Sequence, residues 1–361
     1  MDQAVTFIGI DIGSFKTAIT SSSGRRVVIP SIVGWPKDDA SREKLGHDFV
    51  VGNDVARQQQ SLEIAFPFRR GALELTQPTL QIAAARSVDR NREAAELVMK
   101  HALSLVTPTP GSAIYGVLSI SARASEIHKR ALLTVTRKFL NGVMLSSSPF
   151  NIAYSTSRLH ETLVIDFGAG TTNLARLNGS YPREDDERSL PIGSESIDHE
   201  IVRLISASQE KTELSLNTAR RIKEKYGCLL GPTDTAVVKH ISAATPNSTI
   251  DLNVTEYVRT ACRQTVPAIV NAVRDLTAKL GEPQRRKILE NVQLAGGGTQ
   301  LKGFSQLLQD NLAELGGAKV TLVPDAVFAA AAGALKLAMN LPIADWQRLD
   351  TSVSKPQTRA A

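Results

Sequence analysis

The chain has only two cysteines, Cys228 and Cys262, at a spacing that matches no metal-ligand pattern. Two thiols exclude a disulfide framework and fit a reducing compartment. Aromatic residues make up 5% of the chain, and they do not interleave with its basic stretches. Arg25-Arg26, Arg69-Arg70, Arg220-Arg221 and Arg285-Arg286-Lys287 are scattered, so they read as solvated surface and no nucleic-acid groove is expected. No apolar run approaches the ~18 to 20 residues a membrane span requires. Neither sign of charge dominates: 42 basic and 36 acidic residues leave +6, a mild excess. The opening MDQAVTFIGI passes at once into an apolar strand pattern. It resembles neither a signal peptide nor an amphipathic membrane helix, which predicts a cytoplasmic protein without direct membrane insertion.

What is present is the composition of a globular protein, 42% hydrophobic and 22% charged, in 361 residues. That length suits two domains, or two halves around a cleft. The first forty residues read as strands: FIGIDIG is apolar and ends at glycine, KTAITSS alternates, and RRVVIPSIVG is a third run. Residues 34–75 are mixed and polar and predict a small inserted subdomain. Within 88–106 the apolar positions Ala95, Val98, Met99, Ala102 and Val106 follow helical spacing. AIYGVLSI (113–120) predicts a buried strand, 123–138 a helix, GVMLSS a short strand and 150–157 a short helix.

The second half repeats the opening. TLVIDFG and TTNLARL echo FIGIDIG and KTAITSS about 155 residues further on. Such a duplication predicts two similar α/β domains facing each other. Helices are expected over 197–209 and 215–226. Val254, Val258, Cys262, Val266, Ile269, Val270, Val273 and Leu276 form a long apolar stripe, read as a core helix. NVQLAGGG predicts a short strand, followed by a helix, a strand and an alanine-rich helix from Ala326 to Met339. The tail TSVSKPQTRAA has no periodic pattern and reads as disordered.

The two repeated turns carry the chemistry. Asp11-Ile12-Gly13-Ser14 and Asp166-Phe167-Gly168-Ala169-Gly170-Thr171-Thr172 each place an acid at the end of a strand. The glycines let backbone N–H groups approach phosphate oxygens with no Cβ in the way. One such turn alone is an ordinary hairpin. Two of them, equivalently placed, could clamp a triphosphate from both sides. The like charges of Asp11 and Asp166 then call for a cation between them, and Mg²⁺ with its water shell fits. A third element, LAGGGTQLKGF (294–304), sets three consecutive glycines after an apolar strand. It offers a flat backbone surface for a base and ribose, although it lacks a G-x-G-x-x-G fingerprint.

Five segments together resemble the actin superfamily of ATPases. IGIDIGSFKTAI resembles the first phosphate loop, SSSPFNIAYS (146–155) the first connecting segment and VIDFGAGTTNLA the second phosphate loop. VQLAGGGTQLKGF is similar to the adenosine motif and DAVFAAAAGALKLA (325–338) to the second connecting helix. ARRIKEKYG (219–227) resembles the helix that reaches adenine and ribose. Within the superfamily the chain is most similar to bacterial actins of the MreB and MamK type, in SIVGWPKD, DFVVGNDVA, SARASEIHKRALL, NVTEYVRTAC, ENVQLAGGG and LPIADWQRL.

The resemblance implies an α/β, two-lobed actin-like ATPase fold with four subdomains and a central nucleotide cleft. One subdomain would comprise 1–33, 76–150 and 325–347, and a second 34–75. A third would comprise 151–197 and 263–324, a fourth 198–262, with 348–361 as the tail. It implies ATP or ADP with Mg²⁺ held by Asp11 and Asp166. The phosphates would lie against Gly13, Ser14, Phe15, Lys16, Gly168, Ala169, Gly170, Thr171 and Thr172. Gly193, Glu195, Lys223, Glu224, Gly296, Gly297, Gly298 and Gln300 would complete the nucleotide site. The expected function is ATP-regulated assembly into a homopolymeric cytoplasmic filament associated with magnetosome chains, with a related actin-like protein or magnetosome-associated proteins as further partners.

Two departures stand out. The family's first connecting segment carries a glutamate that positions the attacking water, and the equivalent position here is Ser148. Asp166, Thr171 and Ser148 are the catalytic candidates. Serine cannot act as a carboxylate base near neutral pH, so slow hydrolysis is expected, with positioning and charge neutralisation supplying the rest. The second departure is Phe66-Pro-Phe-Arg-Arg-Gly, where the family usually has arginine before the proline and often an acid before the glycine. Two rivals remain at this point. A nucleotide-binding adaptor that neither polymerises nor hydrolyses is compatible with Ser148. A small-molecule kinase of the same superfamily would need a second pocket that no segment here supplies.

Overall fold

The apolar opening forms β1 (Val5–Ile12), joined by tight turns to β2 (Lys16–Ser21) and β3 (Arg26–Pro30) in an antiparallel meander. The computed structural model describes residues 4–69, 73, 82–107, 111–208, 214–242 and 249–351. They divide into two units, Met1–Arg158 with Val327–Ala361, and Leu159–Ala326. In the first unit, β4 (Val33–Pro36), β5 (Val50–Val51) and β6 (Leu62–Ala65) make a small antiparallel sheet in the order β5-β4-β6. Helices α1 (Asp39–Leu45) and α2 (Asn53–Arg57) lie within the same stretch. Its strands are two to four residues long, too short for a periodic signal, which is why 34–75 read only as mixed.

Helix α3 (Ile82–Val106) buries Ala95, Val98, Met99, Ala102 and Val106 completely, as their spacing requires. Each large apolar side chain so buried contributes roughly 1.5–3 kcal/mol. Strand β7 (Ala113–Ile120), helix α4 (Glu126–Thr136) and strand β8 (Gly142–Ser147) follow. Both strands run parallel to β1, giving the order β3-β2-β1-β7-β8. Helix α5 (Ser148–Ser155) continues directly from β8.

The second unit repeats this plan. β9 (Thr162–Phe167), β10 (Thr172–Leu177) and β11 (Glu187–Leu190) form an antiparallel meander. Helices α6 (Ser194–Ser208) and α7 (Leu216–Tyr226) precede a hairpin of β12 (Val237–Ser242) and β13 (Thr249–Asn253), which the sequence did not reveal. Helix α8 (Thr255–Thr277) buries Val258, Cys262, Val266, Ile269, Val270, Val273 and Leu276, the predicted stripe. Helix α9 (Glu282–Leu289), β14 (Val292–Ala295), α10 (Phe304–Leu312) and β15 (Val320–Leu322) complete the unit. Its sheet order, β11-β10-β9-β14-β15, matches the first strand for strand, with the last two strands parallel to the centre. The duplication seen in two short sequence stretches therefore extends to whole sheets.

The chain returns to the first unit in α11 (Ala329–Asn340) and α12 (Ile343–Thr351). Two expectations change here. Residues 151–158 belong to the first unit, because α11 packs on α5: a Cβ at Gly333 would collide with the Asn151 carbonyl. The tail starts later than residue 348, because α12 continues to Thr351 and is anchored by buried Trp346, whose ring stacks 5.4 Å from Tyr115. Residues 352–361, read as disordered, and Arg70 and Gly71 of the second departure lie outside the described residues.

Candidate functional site

Both aspartates occupy the same place in their sheets. Asp11 is the penultimate residue of the central strand β1, opposite Ala18 of β2 and Ser119 of β7. Asp166 is the penultimate residue of β9, opposite Asn173 of β10 and Ala295 of β14. Both are partly buried. The carboxyl ends of central strands in open α/β sheets are where ligands bind.

The loops that follow close alike. The Gly13 amide donates to the Lys16 carbonyl at 3.1 Å, and the Gly168 amide to the Thr171 carbonyl at 2.9 Å. A Cβ on either glycine would sit within 2.9 Å of that same carbonyl oxygen, so each turn is tight for the same reason.

In the second unit the start of α6 orients the loop. The amides of Ser194 and Glu195 donate to the carbonyls of Gly168 and Ala169 at 3.0 and 2.9 Å. In a planar trans peptide the C=O of one residue and the N–H of the next point in opposite directions. The Ala169 and Gly170 amides therefore both face away from α6. Among the described residues neither donates to a protein acceptor. Two adjacent amides facing one way form an anion-binding concavity. Gly193 permits this approach, since a Cβ there would collide with the Ala169 carbonyl.

In the first unit Ser31 has the equivalent role. Its hydroxyl donates to the Gly13 carbonyl at 3.1 Å and its amide to the Phe15 carbonyl at 2.8 Å. Thr17 Oγ1 lies 2.9 Å from the same hydroxyl. Planarity then turns the amides of Ser14 and Lys16 away from Ser31. Ser31 is fully buried. A lone serine inside the run RRVVIPSIVG gave no sequence signal.

The three glycines after β14 serve unequal ends. Gly296 has φ +94°, and a Cβ there would lie 2.5 Å from Asp166 Oδ1. A Cβ on Gly298 would strike the Phe167 ring, which stacks on Phe304 with centroids 4.0 Å apart. Only Gly297, exposed and with open space at its Cβ position, offers a bare backbone face. Gln300 is exposed beside it.

The remaining predicted residues divide. Ser14 is buried, Phe15 half-buried and Lys16 exposed. Thr171 is partly buried, with Oγ1 3.5 Å from Asn173 Nδ2. Thr172 is buried, and its hydroxyl donates to the Ile192 carbonyl at 2.6 Å, bracing the approach to α6. Glu224 is exposed on α7, and Glu195 is half-buried on α6, 3.9 Å from His199. Lys223, expected at the nucleoside, is buried on α7, with its ammonium 2.7 Å from Asp198 Oδ1 and 2.7 Å from the Ser194 carbonyl. Ser148 is buried as the first residue of α5. Phe66, at the second departure, packs its ring 5.9 Å from that of Phe15 in the first loop, with the Arg69 guanidinium over the Phe66 ring, 5.7 Å from its centroid. The arginine expected there is thus replaced by an aromatic brace on a loop residue.

Among the described residues, no three His, Cys, Asp or Glu side chains gather as a metal cluster. Nor is any described helix long and apolar enough to cross a membrane.

Comparison with known proteins agrees with this geometry. The profile of the MreB/Mbl protein family matches residues 5–344. The actin-like protein MamK of Paramagnetospirillum magneticum (strain AMB-1) is 30% identical over 343 residues, covering 95% of each chain. A solved MamK double helical filament superposes with a TM-score of 0.86 at 30% identity, over 94% of this chain and 100% of the other. A non-polymerising MamK mutant bound to AMPPNP superposes with a TM-score of 0.68 at 29% identity, again over 94% and 100%. The fold is actin-like, and the chain belongs to the MreB/Mbl family.

Proposed function

We propose that this chain is an ATP-binding bacterial actin that assembles into cytoplasmic filaments beside magnetosomes, with slow ATP hydrolysis. The observation that carries the proposal is the pair of matched loops, each following a central-strand aspartate and each with its carbonyls drawn to one side. The names of the relatives, a filament of MamK and a MamK mutant bound to AMPPNP, support the same reading.

The loop amides of Ala169 and Gly170 would take phosphate oxygens, with Ser14 and Thr171 supplying hydroxyls. Gly297 would face the nucleoside, with Glu224 and Gln300 at its edge. Asp11 and Asp166 offer hard carboxylate oxygens, the donor type Mg²⁺ prefers. Mg²⁺, when bound, neutralises phosphate charge. Asp166 would orient water, Thr171 would assist, and Ser148 would contribute no base.

Self-association is the partner expected first, and nucleotide state would bias it by shifting populations between protomer shapes. Sedimentation of the purified chain with ATP and Mg²⁺, followed by electron microscopy of the pellet, tests this. Filaments that depend on ATP are expected. Soluble protein that still binds ATP would instead mark a nucleotide-binding adaptor.

A further inference from the structure

The end of the first sheet carries a polar row that the nucleotide reading leaves unused. Asp11 on β1 is paired with Ser119 on β7, and Ser119 with Ser146 on β8. Directly paired residues of neighbouring strands share a face, so the three side chains stand in line on one side of the sheet. That side is the one α11 covers: two residues before Asp11, a Cβ at Gly9 would strike the Ala331 carbonyl. Most of this face is apolar, with Tyr115 and Val117 packed in one cluster with Ala334, Ala338 and Trp346. At its carboxyl end it turns polar. The Ser146 hydroxyl donates to Asn151 Oδ1 at 2.8 Å, which extends the row to α5, the helix that Ser148 opens.

The row leads inward from a partly buried aspartate to Ser119 and Asn151, which are completely buried. Among the described residues, the Ser119 hydroxyl and Asn151 Nδ2 have no hydrogen-bond partner. A buried donor left unpaired costs the whole desolvation of the group. Alanine and leucine would fill the same places without that cost. Neighbouring strands are about 4.8 Å apart, wider than the ~2.8 Å of a hydroxyl hydrogen bond. A bridging water suits such a gap if it finds several polar partners. The row supplies both kinds: donors in Ser119 and Asn151 Nδ2, acceptors in the Ser146 oxygen and the Asp11 carboxylate.

We propose that Ser119, Ser146 and Asn151 hold one ordered water against the Asp11 carboxylate, and that Ser119 and Asn151 are thereby positioning residues for Asp11 as a ligand of Mg²⁺. This rests on the nucleotide reading above. A carboxylate fixed from behind gives up less freedom when the ion binds, and outer partners of this kind are commonly worth about 10- to 100-fold in metal affinity. The row therefore sets how tightly Mg²⁺ is held and leaves metal-free nucleotide unaffected.

The test is equilibrium binding of ATP to the full chain, once in EDTA and once across a Mg²⁺ titration. Wild type is compared with Ser119→Ala, Asn151→Leu and the double variant. Ser119→Ala removes one oxygen from a strand interior, so the test stays decisive even where Asn151→Leu is unstable. The Mg²⁺ concentration for half-maximal effect is expected to rise about tenfold in either single variant, with ATP affinity in EDTA within about twofold of wild type. The double variant is expected to be no worse than the weaker single one, because either substitution already releases the shared water. An unchanged Mg²⁺ dependence in Ser119→Ala, with or without a lowered melting temperature, would make the row packing alone and overturn the proposal. An equal loss with and without Mg²⁺ would overturn it by placing the effect on the nucleotide. Additive losses in the double variant would overturn it by making the two residues independent. Wild-type protein that binds ATP with no response to Mg²⁺ removes this inference only, whereas wild type that binds no ATP removes the nucleotide reading as well.

Discussion

Ser148 and His128 are two buried polar residues with opposite consequences. Ser148 opens α5 where the family's water-positioning glutamate is expected, and it is 3% exposed. Its hydroxyl cannot accept a proton from water near neutral pH. Restoring a carboxylate by Ser148→Glu should raise steady-state phosphate release by roughly 100-fold or more, the lower end of the range for a general base. Release that does not rise would count against this placement of the base. His128 faces inward from α4, and its Nδ1 accepts the Leu73 amide at 2.6 Å. Burial pushes its pKa down from 6.5 to about 4. The fold therefore favours neutral imidazole. Its contribution is whole above pH 6.5, falls away as pH drops toward 4, and amounts to about 3 kcal/mol at most. Denaturant midpoints from pH 7.5 to 4.5 should fall more steeply for wild type than for His128→Gln. Parallel curves would exclude His128 as the source.

Elements meet at backbone distance in this protein, and glycine marks where. At Gly333 on α11 two effects oppose. Alanine is the better helix former by about 1 kcal/mol, but its Cβ would enter the Asn151 carbonyl of α5. That atom is backbone and cannot rotate away, so overpacking of about 1–3 kcal/mol should win. Gly333→Ala is expected to lower the denaturant midpoint, and a raised midpoint would show that α5 and α11 can part freely. The helices themselves were legible in sequence because a four-residue rhythm survives in Ala95 to Val106 and in Val258 to Leu276. The β5-β4-β6 sheet and the β12–β13 hairpin were not. In the first, the strands are two to four residues long and β4 pairs with segments more than ten residues away in the chain.

At the scale of the whole molecule, the two sheets share one strand order, and each presents an aspartate at the end of its central strand. Ligand that binds the native state alone stabilises it by about 2.7 kcal/mol at one hundred times the dissociation constant. ATP with Mg²⁺ should therefore raise the melting temperature measurably, and chelation by EDTA should reverse most of the shift. Asp11→Asn with Asp166→Asn should abolish it. A full shift in that double variant would remove both aspartates from the site.

The duplicated aspartate-and-glycine turns, the glycine run and the long helical stripes were set by the sequence alone, because each depends on residues close together in the chain. Local chemistry of that kind needs no fold to be read. Only the tertiary structure showed that Ser31 anchors the first loop, that α6 turns the second, and that Lys223 is paired with Asp198. Those roles depend on which way a carbonyl or an ammonium points, and direction is decided by packing between segments that the sequence holds apart.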